Sequence, residues 1–524
     1  MADTRLKSYK NKGLDVEEMR RRREDEGLQI RKSKRDEQVT KRRNIGLAEI
    51  DGDGVVPVEN QQPELELRSI PDMVQAMYST DISSQHAGCL ALRRALSKAG
   101  DPPIEETIST GVVPRLVEFV HSHENTRIQL EAAWSLTNIA SGSSLQTRVI
   151  VEAGAVPTFI HALSRGEDDV MEQVIWGLGN IAGDSPDCRD YVIQNKALSP
   201  LLDVVKQSER VSMRRNAVWA ISNLCRGKNP NPDFAKVKMC IPVFAQLLYC
   251  EDDEIVRDVC WTFSFLSDGD NYKIQHVIDA GISRRLLELL LHKNDTIVSP
   301  ALRTVGNIVT GDDVQTQVIV NCGLLPCLID ICSHEKSSIR KEVFWTISNI
   351  TAGNRAQIQA VIDSNVMPVV LEKLSGDEFK VKKEALWVVA NATSGGTPVQ
   401  IKYLVDIGCI KPVCDMLTVQ DVPVSEIALD TLGSILKIGQ EASKRNDGIN
   451  QYATLIEEAD GMDKLEFLQS HENEQLHRKA YGLIEKYFQD EEDKDNEDLM
   501  PQAQGGQFQF KTDNNAPHDG FRFS

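Results

Sequence analysis

Apolar residues recur at i, i+3, i+4 and i+7 along most of the chain, in stretches such as RLVEFV from Arg115 and ALWVVA from Ala385. That spacing lays a stripe along one face of an α-helix. Gly or Asn falls where one such stretch ends, and proline just inside the start of the next. Alternating strand patterns are absent. The helices also come in register with one another. A small residue, an apolar pair, often a proline and then an apolar run appear as TGVVPRLVEFV from Thr110, EAGAVPTFIHAL from Glu152 and NKALSPLLDVV from Asn195. The signature returns as DAGISRRLLELL from Asp279, NCGLLPCLIDIC from Asn321, DSNVMPVVLEKL from Asp363 and DIGCIKPVCDML from Asp406. About 24 residues after these starts lies a second one: WSLTN at Trp134, WGLGN at Trp176, WAISN at Trp219, WTFSF at Trp261, RTVGN at Arg303, WTISN at Trp345 and WVVAN at Trp387. The steps between these seven positions are 42, 43, 42, 42, 42 and 42 residues.

A period near 42 residues with two to three helices per unit is the armadillo or HEAT pattern, in which each unit buries its apolar face by stacking on its neighbours. The expected fold is all-α, a right-handed superhelical solenoid of about ten armadillo repeats, running from residue 70 to 488 with a degenerate first unit and a late one around ADGMDKLEFLQ. Helix packing distances give it a length on the order of 100 Å. Residues 45–69 have no period and read as a flexible linker. Residues 489–524 turn acidic and then Gly/Gln/Asn-rich, and read as a disordered tail.

Charge divides the chain sharply. Residues 1–44 hold 15 Lys/Arg against 9 Asp/Glu, a surplus of +6, so the remainder of a chain of net charge -19 carries -25. A body of that charge repels nucleic acid and anionic membrane and attracts cationic partners. The arm itself, with RRRR at Arg20 to Arg23 and KRRN at residues 41–44, mixes both signs and has almost no aromatic residues to stack on bases, which suits an acidic protein partner better than a phosphate backbone. Eleven cysteines without a CxxC point to reduced, buried thiols in a reducing compartment. No cofactor or metal is expected. DGDG at residues 51–54 opens like a calcium loop, but Gln62 stands where a bidentate Glu is needed. No apolar run reaches membrane-spanning length, and no phosphate loop, metal constellation or nucleophile elbow marks an enzyme.

Trp and Asn four apart share a helix face. Recurrence in unit after unit draws a continuous stripe of both. A lone pair would read as core Trp and capping Asn, but a core has no use for Asn at i+4 in every unit. Asn carries both a donor and an acceptor and suits the backbone of an extended peptide, three of whose residues should span one unit. Adjacent Trp rings hold the stems of Lys or Arg, with cation–π attraction of ~0.5–2 kcal/mol. Asp184, Asp258 and Glu384 lie near the stripe to take the charged heads. Phe265 in place of Asn, and Arg303 in place of Trp, interrupt the stripe and divide it into two segments, with Arg303 free to stack in a slot itself. The ligand read from these residues is an extended Lys/Arg-rich peptide with one basic cluster or two. A catenin-like armadillo scaffold in adhesion or signalling is the alternative, although Trp, Asn and carboxylates suit a cationic ligand.

The WxxxN series with its break at Phe265 and Arg303, NIAGDSPDCRDYVI after Trp176, the basic arm and the acidic stretch after YGLIEKYF together resemble the importin-α family over nearly the whole chain. The resemblance implies a nuclear import adaptor, not an enzyme, shuttling between cytoplasm and nucleus. It implies a major signal site of Trp134, Asn138, Ser141, Gly142, Thr147, Gln173, Trp176, Asn180, Asp184, Trp219, Asn223 and Asp258, with Asp184 holding the key lysine. A minor site would comprise Arg303, Trp345, Asn349, Glu384, Trp387 and Asn391. Its implied partners are importin-β on residues 1–44, cargo with nuclear localisation signals, a recycling exportin with Ran-GTP on the last repeats, and nuclear pore components. Lys41, Arg42 and Arg43 then read as a self-peptide able to fold back into the groove, with Asn44 in place of one further cation. The 26 residue steps from Asn44 to Ile70 have a root-mean-square span of roughly 25–30 Å, enough for that return.

Overall fold

The computed structural model describes residues 41–44, 69–122, 124–444 and 449–488, and the backbone of 502–504 and 507–509. Expectations for residues 1–40, for the linker beyond Asn44 and for the acidic stretch after Phe488 lie outside the described residues. The chain divides into two compact units, residues 1–366 and 367–524.

The first unit opens with the helices Ile70–Met77 and Ile82–Leu96. Sets of two short helices and one long helix follow, beginning with Ile104–Ser109, Val113–Ser122 and Thr126–Ala140. The long helices Thr126–Ala140, Asp168–Asp184, Val211–Cys225, Asp253–Leu266, Asp295–Ile308 and Ser337–Thr351 each pack on the next, making one continuous row. In the second unit Phe379–Gly395 packs on Val422–Ser443, which packs on Glu474–Tyr487. Two three-residue strands, Gln502–Gln504 and Gln507–Gln509, pair antiparallel within the segment read from sequence as a disordered tail.

Both repeated signatures have a physical meaning. The small residue of the first is a left-handed turn between two short helices: Gly111, Gly154, Gly281, Gly323 and Gly408 all have φ between 73° and 97°. The same place in two other units falls to Lys196 at φ 64° and Asn365 at φ 58°. Glycine is free to take this geometry, whereas a lysine holds it only where packing on both sides enforces it. Four units start their first helix with a reciprocal cap, Ser143 with Gln146, Asp312 with Gln315, Asn354 with Gln357 and Thr397 with Gln400. Gln315 and Gln357 also reach into the preceding unit, donating at 2.8 Å to the carbonyls of Asn271 and Asp313. These side chains cap their own helix and tie it to its neighbour.

The long helices are buried nearly all round. In Thr126–Ala140, Ile128, Ala132, Leu136 and Ile139 are fully buried, and Trp134 and Asn138 on the remaining face are buried as well. Truncating such a leucine to alanine costs ~2–5 kcal/mol. Among the described residues no single helix is long and apolar enough to cross a membrane.

Candidate functional site

The row of long helices aligns Trp134, Trp176 and Trp219 with Asn138, Asn180 and Asn223 one helical turn behind them. Asn180 Nδ2 donates to Thr137 O at 3.1 Å, Asn223 Nδ2 to Gly179 O at 2.9 Å and Asn307 Nδ2 to Ser264 O at 2.8 Å. The amide of each thereby bridges to the helix before it, so the capping role and a ligand-binding role are compatible. What lies beneath the rings is just as regular. A Cβ added to Gly179 would overlap the ring of Trp219, and one added to Gly306 would overlap the ring of Trp345. These two glycines set how deep their tryptophans sit.

Residues 41–44 occupy this groove as an extended segment. The Lys41 ammonium donates at 2.8 Å to Gly142 O, at 2.8 Å to Thr147 Oγ1, and to the Asp184 carboxylate. All three of its N–H groups are used, a geometry that suits a tetrahedral ammonium and not a planar guanidinium. The side chains of the pair are 14% and 3% exposed, so removing one partner strands a buried charge. Arg42 is held by its backbone and by its head. Its N–H donates to Asn180 Oδ1 at 2.8 Å, and its carbonyl accepts from Trp176 Nε1 at 2.7 Å and Asn180 Nδ2 at 2.9 Å. Its guanidinium lies 4.5 Å from the Trp219 ring centroid and reaches Asp258 at 3.5 Å. Burial pulls that guanidinium below its ordinary pKa, with Asp258 opposing the shift. Asp258 is shared: Arg257 Nε binds it at 2.8 Å, leaving Arg42 the weaker contact.

Arg43 points the other way and donates to Ala99 O at 2.9 Å and Gly100 O at 3.3 Å. Asn44 repeats the pattern of Arg42 one unit back along the row. Its N–H donates to Asn138 Oδ1 at 3.1 Å, its carbonyl accepts from Trp134 Nε1 at 3.3 Å, and its side chain donates to Gln173 Oε1 at 3.2 Å. The segment therefore runs antiparallel to the order of the repeats.

The step from Arg42 to Asn44 is two residues per unit and not the three expected from packing distances. An extended strand turns the N–H and C=O of residues i and i+2 to the same side, and those of i+1 to the other. A groove that reads backbone with one Asn per unit needs an even step. Helix spacing alone does not carry this constraint.

Of the other sequence-derived residues, Ser141 donates to Asn138 O at 2.7 Å and closes the end of its helix. Arg303 lies in the first unit with Trp345 and Asn349. Its guanidinium is 5.2 Å from the Trp345 ring and donates to Glu342 Oε1 at 2.6 Å, so a cation of the stack itself fills this slot. Asn349 is fully buried, and neither its amide nitrogen nor its oxygen has a hydrogen-bond partner. Glu384, Trp387 and Asn391 lie on Phe379–Gly395 in the second unit, with Glu384 and Asn391 buried. Trp261 stacks on Phe265 of its own helix at 6.0 Å, which accounts for Phe265 at an Asn position.

Sequence reasoning passed over Ser144, whose hydroxyl donates to Asp184 at 2.9 Å, and Arg257, Gly179 and Gly306. It also passed over Arg93 and Glu131. The two glycines carried a signal, since each immediately precedes a ladder Asn in GN. Among the described residues no group of His, Cys, Asp and Glu is arranged to hold a metal ion.

Comparison with known proteins agrees with this architecture. The importin beta binding domain family matches residues 5–90. The armadillo/beta-catenin-like repeat family matches residues 100–141, 143–183, 185–226, 270–310, 312–352 and 354–394, and an atypical armadillo repeat family matches 450–502. Importin subunit alpha-2 of Arabidopsis thaliana is 54% identical over 516 residues, spanning 97% of this chain and 96% of that protein. Importin subunit alpha-B of Dictyostelium discoideum is 47% identical over 98% of both chains. A crystal structure of an engineered protein superposes with a TM-score of 0.72 at 25% identity, over 79% of this chain and 98% of that one.

Proposed function

The chain belongs to the importin-α family, and on that premise we propose how its groove and its arm work against each other. As a member of that family it is a nuclear import adaptor, and its importin beta binding domain is the region that engages importin-β. The groove through Trp134, Trp176 and Trp219 is the major site for the Lys/Arg-rich signal of a cargo. Asp184 with Gly142 and Thr147 takes a lysine, the Trp176 and Trp219 rings with Asp258 take the next cation, and Gln173 lies at the slot between Trp134 and Trp176. Asn138, Asn180 and Asn223 hold the signal's backbone whatever its side chains. The second cluster of a bipartite signal is assigned by family membership to Arg303, Trp345 and Asn349 in the first unit and, separately, to Glu384, Trp387 and Asn391 in the second. The unpaired, buried amide of Asn349 supports this reading, because a buried amide without partners is costly and a ligand backbone satisfies it.

The observation that carries the proposal is the seating of Lys41, Arg42 and Asn44 on Asp184, Asn180 and Asn138. Residues 41–44 act as a tethered self-ligand. A tether of this length gives an effective concentration near the millimolar range, enough for a poor ligand to hold the site. Asn44 presents an amide where a stronger signal presents a cation, which keeps the self-ligand displaceable. Importin-β withdraws the arm, and cargo takes the freed groove. A recycling exportin with Ran-GTP and nuclear pore components complete the cycle between cytoplasm and nucleus. The test is a titration of the full chain with a labelled Lys/Arg-rich peptide, with and without importin-β. Tighter peptide binding in the presence of importin-β is expected; equal affinity in both would overturn the displacement mechanism.

A further inference from the structure

The ladder does not simply stop before Trp134. Arg93, on Ile82–Leu96, stands 41 residues before Trp134, and Ser97 stands 41 residues before Asn138. Ser97 Oγ accepts from Asn138 Nδ2 at 3.0 Å, as the carbonyls of Thr137 and Gly179 accept from the next two asparagines. Arg93 is buried, lies 4.5 Å from the Trp134 ring centroid and donates from Nε to Glu131 Oε2 at 2.7 Å. Its ring distance equals that of Arg42 over Trp219. Arg303 repeats the arrangement further along, over Trp345 at 5.2 Å and on Glu342 at 2.6 Å. Glu131 and Glu342 each lie three residues before the tryptophan concerned.

We propose that Arg93 is a built-in ligand that fills a latent cation slot and so fixes where the basic part of a bound peptide must end. The proposal rests on the reading of the groove as a basic-peptide site and adds a specificity-determining residue to it. Two residues per unit place the side chain that follows the Asn44 position by two in the slot between Arg93 and Trp134. A cation there finds the ring face covered and the Glu131 carboxylate already paired. It loses hydration and gains neither partner. Removing the guanidinium opens the ring and frees the carboxylate, the same pair of features that hold Arg42.

The test uses two labelled peptides, Gly-Lys-Arg-Arg-Lys-Ala-X-Gly with X either Lys or Ala, titrated into the full chain. Comparing the two peptides on one protein cancels competition from the arm. The wild type is expected to bind the Lys peptide no tighter than the Ala peptide. Arg93→Ala is expected to bind the Lys peptide about fivefold tighter than the Ala peptide, from ring and carboxylate together. Because Arg93→Ala leaves Glu131 buried without its partner, Arg93→Ala/Glu131→Gln serves as the second variant. It is expected to keep a preference of about two- to threefold from the ring alone. A wild type that already prefers Lys by the same factor, or the absence of any gained preference in both variants, would overturn the role of Arg93. Failure of both the full chain and a chain lacking residues 1–44 to bind either peptide would instead overturn the groove reading itself.

Discussion

Trp219 and Trp345 occupy equivalent places in their units, each over a glycine of the preceding helix, yet their rings face cations of different origin. Over Trp219 the guanidinium is that of Arg42, carried by the segment proposed above as a displaceable self-ligand. Over Trp345 it is that of Arg303, fixed in the helical row and paired with Glu342. On that proposal the first slot is exchangeable, whereas the second is filled by a residue of the helical row itself. Continuity of the Trp row alone does not make a binding groove; a slot binds ligand only where no residue of the stack already fills it. Arg93 over Trp134 closes the first segment at its other end in the same manner.

The largest effect that tests this contrast is at Asp184. Asp184→Lys sets a cation against the buried ammonium of a bound lysine, and breaking such a pair costs ~3–5 kcal/mol. Loss of single-cluster peptide binding by at least about 100-fold is expected in a fluorescence titration. Affinity within threefold of wild type would remove Asp184 from the site.

The two glycines separate the segments next. Gly179→Ala pushes on the Trp219 ring and is expected to weaken a single-cluster peptide about tenfold, in line with the ~1–3 kcal/mol cost of overpacking. Gly306→Ala pushes equally on Trp345 and is expected to leave that peptide within about twofold. Matching thermal melts for the two variants separate a local effect from unfolding. Equal losses of affinity would erase the distinction between the segments.

These glycines also mark how far the sequence could be read. The 42-residue period, the helices and the Trp and Asn stripe were legible because they repeat, and repetition averages out the noise of any one unit. The left-handed turn was visible as a small residue in the first signature, although Lys196 shows that composition alone does not define it. What was not legible depends on distances between units. The two-residue step follows from strand geometry against a row of amides, and Arg257 competing for Asp258 follows from one side chain's direction. Arg93 and Glu131 were hidden because the first unit has drifted, so that RRALS stands where WSLTN stands one unit later.

A smaller effect is expected at Asn44. Asn44→Lys supplies a cation beside Gln173 in the slot between Trp134 and Trp176, strengthening the self-ligand by about 1 kcal/mol. Competition against a labelled basic peptide in the full chain is expected to weaken the peptide about fivefold. An unchanged or tighter peptide affinity would show that Asn44 does not tune the arm.

The central claim is that residues 41–44 compete with cargo for one groove, and the most direct measurement is a peptide titration of the full chain beside a chain lacking residues 1–44. With a tethered concentration near millimolar opposing the peptide, the account predicts affinity about tenfold or more tighter in the truncated chain. Equal affinity in the two chains would contradict it.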